Sequence, residues 1–276
     1  MSSFRRWPIS SIIILAILVF MGVFADIIAP YGASDMTLEN RHVPPVFFGG
    51  SWDHILGTDP LGRDILSRLI YGARISLFVS GIALVSGGLI GTVIGLVSGY
   101  AGGATDEVLM RIVDIKFSLP LILIALALAL ILGPSLKLLL GLLAFLIWGG
   151  FARQVRGEVL LLKELDYVAM AKVSGASTFR ILYKHIFPGV LNTVVVVATL
   201  QVGSVILAEA SLSFLGAGVP PPTPTWGAMV SAGRLYLDIA WWDALIPGVA
   251  ILLTVLAFTL LGDWLRDRVD PRLRQI

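Results

Sequence analysis

Six apolar stretches, each reaching or approaching the length that crosses a bilayer, constrain this chain more than any other feature. They cover residues 9–25, 75–100, 119–132, 136–151, 190–215 and 244–264. A helix rises 1.5 Å per residue, so about 20 apolar residues cross about 30 Å of hydrocarbon. The third and fourth runs are short and must borrow flanking residues or stand with little tilt. Composition agrees: 57% of the 276 residues are apolar and the mean hydropathy is +0.91, against about 45–50% apolar in soluble domains. The expectation is an all-α membrane protein with six transmembrane helices.

The first run follows Arg5 and Arg6 and could be read as a secretory signal cut after Ala25. Its 17 residues, extended by Ile27, Ile28 and Ala29, exceed the usual core of about 7–15 residues. A retained anchor with a cytoplasmic amino terminus is therefore expected. With six crossings from that start, 14 Lys and Arg fall inside and 6 outside. This agrees with the excess of basic residues on cytoplasmic segments and puts the carboxyl terminus, with Arg266, Arg268, Arg272 and Arg274, in the cytoplasm as well. The chain divides into residues 1–25 (tail and first span), an extracytoplasmic loop at 26–74, and a core of five spans at 75–276.

Gly87, Gly91, Gly95 and Gly99 recur every fourth residue in the second run, on one helix face. Each glycine costs about 1 kcal/mol against alanine inside a helix, so four in register point to close backbone contact with another helix. A phosphate cradle is the rival reading, but no Gly-Lys-Ser or Gly-Lys-Thr follows, so the chain is not expected to bind ATP. In the long outer loop Asp59, Arg63, Asp64 and Arg68 alternate in sign at helical spacing, which reads as a self-paired surface helix. A shorter connector at 101–118 carries Asp106, Glu107, Arg111 and Asp114, with Asp114 and Lys116 expected at the inner interface. Glu209 is the one carboxylate inside the fifth run, which also holds Gln201. Such a residue points to a pore or a partner helix, or sits near the outer interface within reach of water. Trp241 and Trp242 suit an interfacial belt. The net charge of +2 argues for no nucleic-acid partner. No cysteine is present, and His42, His54 and His185 do not share ligand spacing, so neither a disulfide nor a fixed metal site is expected.

The only long polar interval between two apolar spans in the second half covers residues 164–192. Val168, Ala169 and Ala171 recur at helical spacing after Leu165, and Gly175 permits the left-handed geometry that ends a helix. Ser177 then caps a second helix through Phe179, Ile181, Leu182, Tyr183 and Ile186, which Pro188 is expected to stop. Two short amphipathic helices at a fixed angle result.

The pattern Ala169-Met170-Ala171, Gly175 and Pro188 thirteen positions on resembles the EAA loop of binding-protein-dependent ABC importer permeases. Ala169 stands where the loop's name implies glutamate, which removes a polar contact and leaves the helix-turn-helix intact. The surrounding Tyr167-Val168, Gly175-Ala176-Ser177, Arg180-Ile181 and His185-Ile186 are similar to the dipeptide, oligopeptide and nickel branch. So are His54 to Arg74, Asp106 with Arg111, Asp114 and Pro120, and Ser213 to Met229. The resemblance implies a type I importer permease fold in the cytoplasmic (inner) membrane. It also implies a second, homologous permease chain, two cytoplasmic ATPase subunits and an extracytoplasmic solute-binding protein. Tyr167, Ala169, Met170, Ala171, Ser174, Gly175, Ala176 and Pro188 would then dock on an ATPase. The permease itself would be non-catalytic and hold no cofactor, ATP being bound by the partners. The implied cargo is a dipeptide or oligopeptide, with nickel chelates and glycosides as alternatives. A proton-coupled secondary transporter using Glu209 and Asp114 is the reading from another class, but no internal repeat supports it. An intramembrane enzyme would need a paired catalytic motif, and none is found.

Overall fold

The computed structural model describes residues 8–269. Arg5, Arg6 and the tail with Arg272 and Arg274 lie outside the described residues. All regular structure among the described residues is helical, apart from a single bridge between Thr58 and Asp64. In lipid this follows from chemistry, because only a helix or a closed barrel satisfies every backbone amide and carbonyl internally. The principal helices are α1 (Ile9–Val23), α2 (Ile65–Ala101), α3 (Gly103–Ser118), α4 (Leu121–Leu132) and α5 (Leu136–Leu162). They continue with α6 (Asp166–Val173), α7 (Thr178–Phe214), α8 (Trp226–Gly233) and α9 (Trp242–Val269).

Four of these, α2, α5, α7 and α9, are long and apolar enough to cross a membrane. The pair α3 and α4 makes a fifth crossing if counted as one bent span, with an angle of 77° between its halves. The sequence reading puts the third span at 119–132, too short unless it borrows flanking residues, and takes 101–118 as a connector. Pro120 cannot continue the ladder from α3, and α4 alone, at 12 residues, rises only about 18 Å. Helix α1 has 15 residues and is extended by a short turn at Ala25–Ile28.

Helix α2 begins ten residues earlier than the second apolar run. The Asp64 carboxylate caps it by accepting from the Ser67 amide at 2.7 Å. Its 37 residues rise about 55 Å, so one end must project from the hydrocarbon. That end enters the loop after α1, where the expected surface helix over 59–68 does not form. Asp59 instead closes a tight turn: its carboxylate accepts from the amides of Leu61 and Arg63 and, at 2.6 Å, from Arg63 Nε. Arg68 Nε lies 3.6 Å from the same carboxylate, and Arg68 Nη1 donates to the Ala33 carbonyl at 3.0 Å. Asp59, Asp64 and Arg68 are all buried. Spacing of four suits a helix but equally suits a turn whose ends fold back. Trp242, expected in an interfacial belt, is also buried and donates from Nε1 to the Thr58 carbonyl at 3.3 Å. It ties the loop to the start of α9.

The most extensive helix contact joins α2 to α5. A Cβ on Gly91 would lie 2.2 Å from the Trp148 carbonyl oxygen, and one on Gly87 2.7 Å from that of Ala144. Gly95 and Gly99 come as close to Ala152, Val155 and Val159. The main apolar core lies beside this seam and includes Val79, Ala83, Leu143, Ile147, Phe151 and Val205. At the other end of α2, Gly102 takes a φ of 65°, which a side chain would strain, and the chain turns into α3. Arg156 of α5 holds Asp106 of α3 through two bonds of 2.6 Å, and Lys163 donates to the Gly99 carbonyl at the C-terminus of α2. Lys116 is buried within the protein, donating to the Leu146 carbonyl, whereas Asp114 is exposed and paired with Arg153 at 2.6 Å.

A candidate coupling site between α6 and α7

Helix α6 is short, so its position depends on anchoring. Val168 is fully buried and packs with Val155 and Val159 of α5 and with Ile181, Ile186 and Val190 of α7. Burying each such side chain contributes about 1.5–3 kcal/mol, which together fixes the angle of the unit on the bundle. At its end the Gly175 amide donates to the Lys172 carbonyl at 3.0 Å and the Ala176 amide to the Ala171 carbonyl at 3.1 Å. This double closure requires the left-handed residue at Gly175, whose φ is 76°. Ser177 caps the next helix, its Oγ accepting from the Arg180 amide.

Pro188 does not stop that helix, as its missing amide led the sequence reading to expect. Residues Ile181–Ile186 widen into a π-helical turn, and the Phe187 amide reaches back five residues to the Leu182 carbonyl. The wider turn relieves the clash a proline makes with the carbonyl four residues earlier, and α7 runs on unbroken to Phe214. A rigid rod therefore connects the polar finger to the membrane-crossing part of α7.

The other side of the finger carries large apolar groups into solvent. Val173 is 90% exposed and Phe179 77%; Met170 and Tyr183 are also well exposed. The Phe179 and Tyr183 rings stack with an interplanar angle of 3°. Tyr167 Oη donates to the His185 carbonyl at 3.3 Å, bracing the two arms. Between the arms lies an open cleft lined by Tyr167, Met170, Ala171, Ser174, Arg180 and Lys184. Gly175 and Ala176 border it too, whereas Ala169 and Pro188 are exposed outside it. Isolated exposed apolar residues are ordinary, but a rigid group of four beside a basic cleft has the character of a protein-docking surface. The sequence reading does not name Val173 and takes Phe179 and Tyr183 only as part of the second helix's apolar pattern, not as an exposed surface. The one signal available was the i, i+4 spacing of the two aromatic residues on the solvent side of the second arm.

Glu209 belongs to a separate site. It is fully buried within the chain and faces neither open water nor a lumen. Ser213 Oγ donates to its Oε1 at 2.7 Å and Ser76 Oγ approaches its Oε2 at 3.3 Å, so the carboxyl group ties α7 to α2. Gln201 lies against α5, where a Cβ on Gly150 would come within 2.9 Å of its Nε2. Glu209→Gln keeps an acceptor and the side-chain volume, and is expected to change thermal stability little. Glu209→Ala leaves two hydroxyls without their partner and opens a cavity, a loss of about 2–4 kcal/mol. Thermal unfolding of both variants in detergent checks this, and equal melting temperatures would contradict it.

The family model for the binding-protein-dependent transport system inner membrane component matches residues 91–275, a range that contains the whole finger. A dipeptide transport system permease protein DppC from Bacillus subtilis is 40% identical over 98% of this chain and 83% of its own length. The DppC of Escherichia coli K12 is 43% identical over 98% of this chain and 91% of its own. A glutathione transport system permease protein GsiD from Pectobacterium atrosepticum is 42% identical over 94% and 84%. Among solved structures, a chain of the MetNI methionine ABC transporter in an inward facing conformation superposes with a TM-score of 0.59 at 20% identity. It covers 74% of this chain and 96% of that one, which supports the fold alone. On these grounds the chain belongs to the inner membrane components of binding-protein-dependent transport systems, as a multi-pass protein of the cytoplasmic membrane.

Proposed function

We propose that this chain is one transmembrane half of an ATP-driven importer for dipeptides or short oligopeptides. A homologous permease would form the other half, two cytoplasmic ATPases would supply the energy, and an extracytoplasmic binding protein would deliver the cargo. The relatives named for dipeptide and for glutathione transport are about equally similar, and glutathione is itself a short peptide. In this reading α1, α2, the bent pair α3 and α4, α5, α7 and α9 make six crossings with both termini inside. The count of basic residues supports that orientation.

The observation that carries the proposal is the finger: Met170, Val173, Phe179 and Tyr183 exposed on a unit whose opposite face is locked into the bundle by Val168, Ile181 and Ile186. An ATPase closing on that surface moves the finger as a body. The unbroken α7 then carries the displacement to Gln201 and Glu209, deep in the bundle. The glycine seam between α2 and α5 keeps those helices together as the bundle tilts.

Met170→Glu places a charge where the docked state would bury it. About a tenfold or greater loss of dipeptide uptake and of binding-protein-stimulated ATP hydrolysis is expected, with normal amounts of chain in the membrane. Unchanged uptake in this variant, or uptake driven by a proton gradient in vesicles without ATP, would contradict the reading.

A further inference from the structure

The segment 45–55 is a compact loop closed by its own backbone. The Val46 amide donates to the Ile55 carbonyl at 3.1 Å, and the Phe48 and Gly50 amides both donate to the Pro45 carbonyl. Its base is fixed through Thr58, whose backbone is bonded to Val43 and whose carbonyl accepts from Trp242. On this rigid base three large aromatic side chains point outward: Phe47 is 84% exposed, Trp52 75% and Phe48 63%. No Lys or Arg occurs between Arg41 and Arg63, and Asp53, the one exposed acid beside the aromatic residues, is already bonded to the Ser51 hydroxyl.

The position of these rings argues for what covers them. Phe48 meets Trp241 edge to face, with ring centroids 5.1 Å apart. Trp241 heads a stripe that continues down α9 through Leu245, Val249, Leu252, Leu256 and Leu260, all exposed, at steps of three and four residues. That stripe lies on one face of a membrane-crossing helix and is left uncovered by the other described residues of this chain. The loop thus continues an uncovered apolar surface, at the level where helix α9 begins. Trp52 suits the membrane interface, since its apolar ring and polar indole N–H match the boundary between headgroups and acyl chains, and Phe47 and Phe48 add apolar area beside it.

We infer that Phe47, Phe48 and Trp52 form a lipid anchor, inserted into the headgroup region beside the start of α9. The anchor holds the loop between α1 and α2 against the bilayer surface, leaving its polar side to face water. A binding protein docking on the same rings is the competing occupant. The rings lack the charged surroundings that would steer such a partner, and they continue the uncovered apolar stripe of a membrane-crossing helix. The inference requires that α9 crosses the membrane with this stripe toward lipid and not toward the second permease of the proposed function.

The absence of cysteine makes the test direct. Spin labels are placed singly at Phe47→Cys and Trp52→Cys in the assembled transporter in lipid nanodiscs. Leu252→Cys serves as the lipid reference and the exposed, charged Glu39→Cys as the water reference. Labels at 47 and 52 are expected to collide several-fold less with a polar nickel complex than the label at 39, and more with oxygen. Polar access equal to that at 39 overturns the anchor, whether or not adding the binding protein then protects the label. Two positions keep the test valid if one label disturbs the loop. Low oxygen collision at 252 would show that the α9 stripe does not meet lipid, which overturns the anchor as well.

Discussion

Gly91→Leu is expected to remove the folded transporter from the membrane, while Gly81→Ala on the same helix leaves it intact or slightly more stable. A Cβ at Gly91 would lie 2.2 Å from the Trp148 carbonyl oxygen and 2.6 Å from Phe151 Cβ; at Gly81 nothing lies within 4 Å. The neighbour at Gly91 is backbone of α5, so it cannot swing aside as a flexible side chain would. Helices in lipid gain no hydrophobic energy by meeting, because the surrounding tails are equally apolar. The α2–α5 contact therefore rests on close van der Waals packing, which a leucine at Gly91 abolishes along the seam. Overpacking usually costs about 1–3 kcal/mol, and a rigid backbone neighbour puts this case at about 3 kcal/mol or more. That is a large part of a total stability of about 5–15 kcal/mol. Gly81→Ala gains up to about 1 kcal/mol of helix propensity. Membrane content and melting temperature of the two variants decide the matter. Equal values would mean that α2 and α5 are not in contact along this face.

Asp59→Ala is the second large effect. It removes the acceptor of the Leu61 and Arg63 amides and of the Arg63 side chain, and the only carboxylate among the described residues that is paired with buried Arg68. Arg68 keeps one bond, to the Ala33 carbonyl. Leaving a buried charge without its partner costs about 3–5 kcal/mol, so the loop after α1 is expected to open and become protease-sensitive. Asp59→Asn retains an acceptor for the amides and recovers part of the loss. Asp53→Ala, at an exposed carboxylate that accepts from the Ser51 hydroxyl, serves as the control. Identical proteolysis of Asp59→Ala and Asp53→Ala would contradict the account.

These two predictions differ in how far the sequence announces them. Four glycines at a spacing of four have few uses in an apolar helix, so the close-contact face could be read directly, though not that α5 is its partner. The Asp59, Arg63 and Arg68 group could not. An i, i+4 ion pair fits a helix and a folded-back turn equally well, and what buries it comes from Ala33, 26 residues earlier, and from α8 and the start of α9. The bend before α4 was hidden for a related reason: hydropathy measures apolar length and is blind to the 77° angle at Pro120. Pro188 misled through a local rule applied alone, since a π turn reconciles it with a continuous helix. In the finger, Gly175 and Ser177 are turn-forming residues with little alternative, so the shape was legible. Its exposed surface was not. Val173 and Val168 are the same residue type five positions apart, and only the packing of α5 beneath decides that one is buried and the other open.

The proposal that the finger is driven by a separate ATPase is tested most directly by crosslinking. Ser174→Cys and Ala171→Cys, in a chain that otherwise has no cysteine, are labelled in native membranes through the thiol with a maleimide that carries a photoactivatable diazirine, so that no second thiol is needed on the partner. Irradiation is expected to give a covalent product with the ATPase subunit at both positions, with a yield that changes on ATP binding, and none from Leu237→Cys on the opposite end of the bundle. No product at 171 or 174 with the assembled transporter, or an equal product from 237, would contradict it.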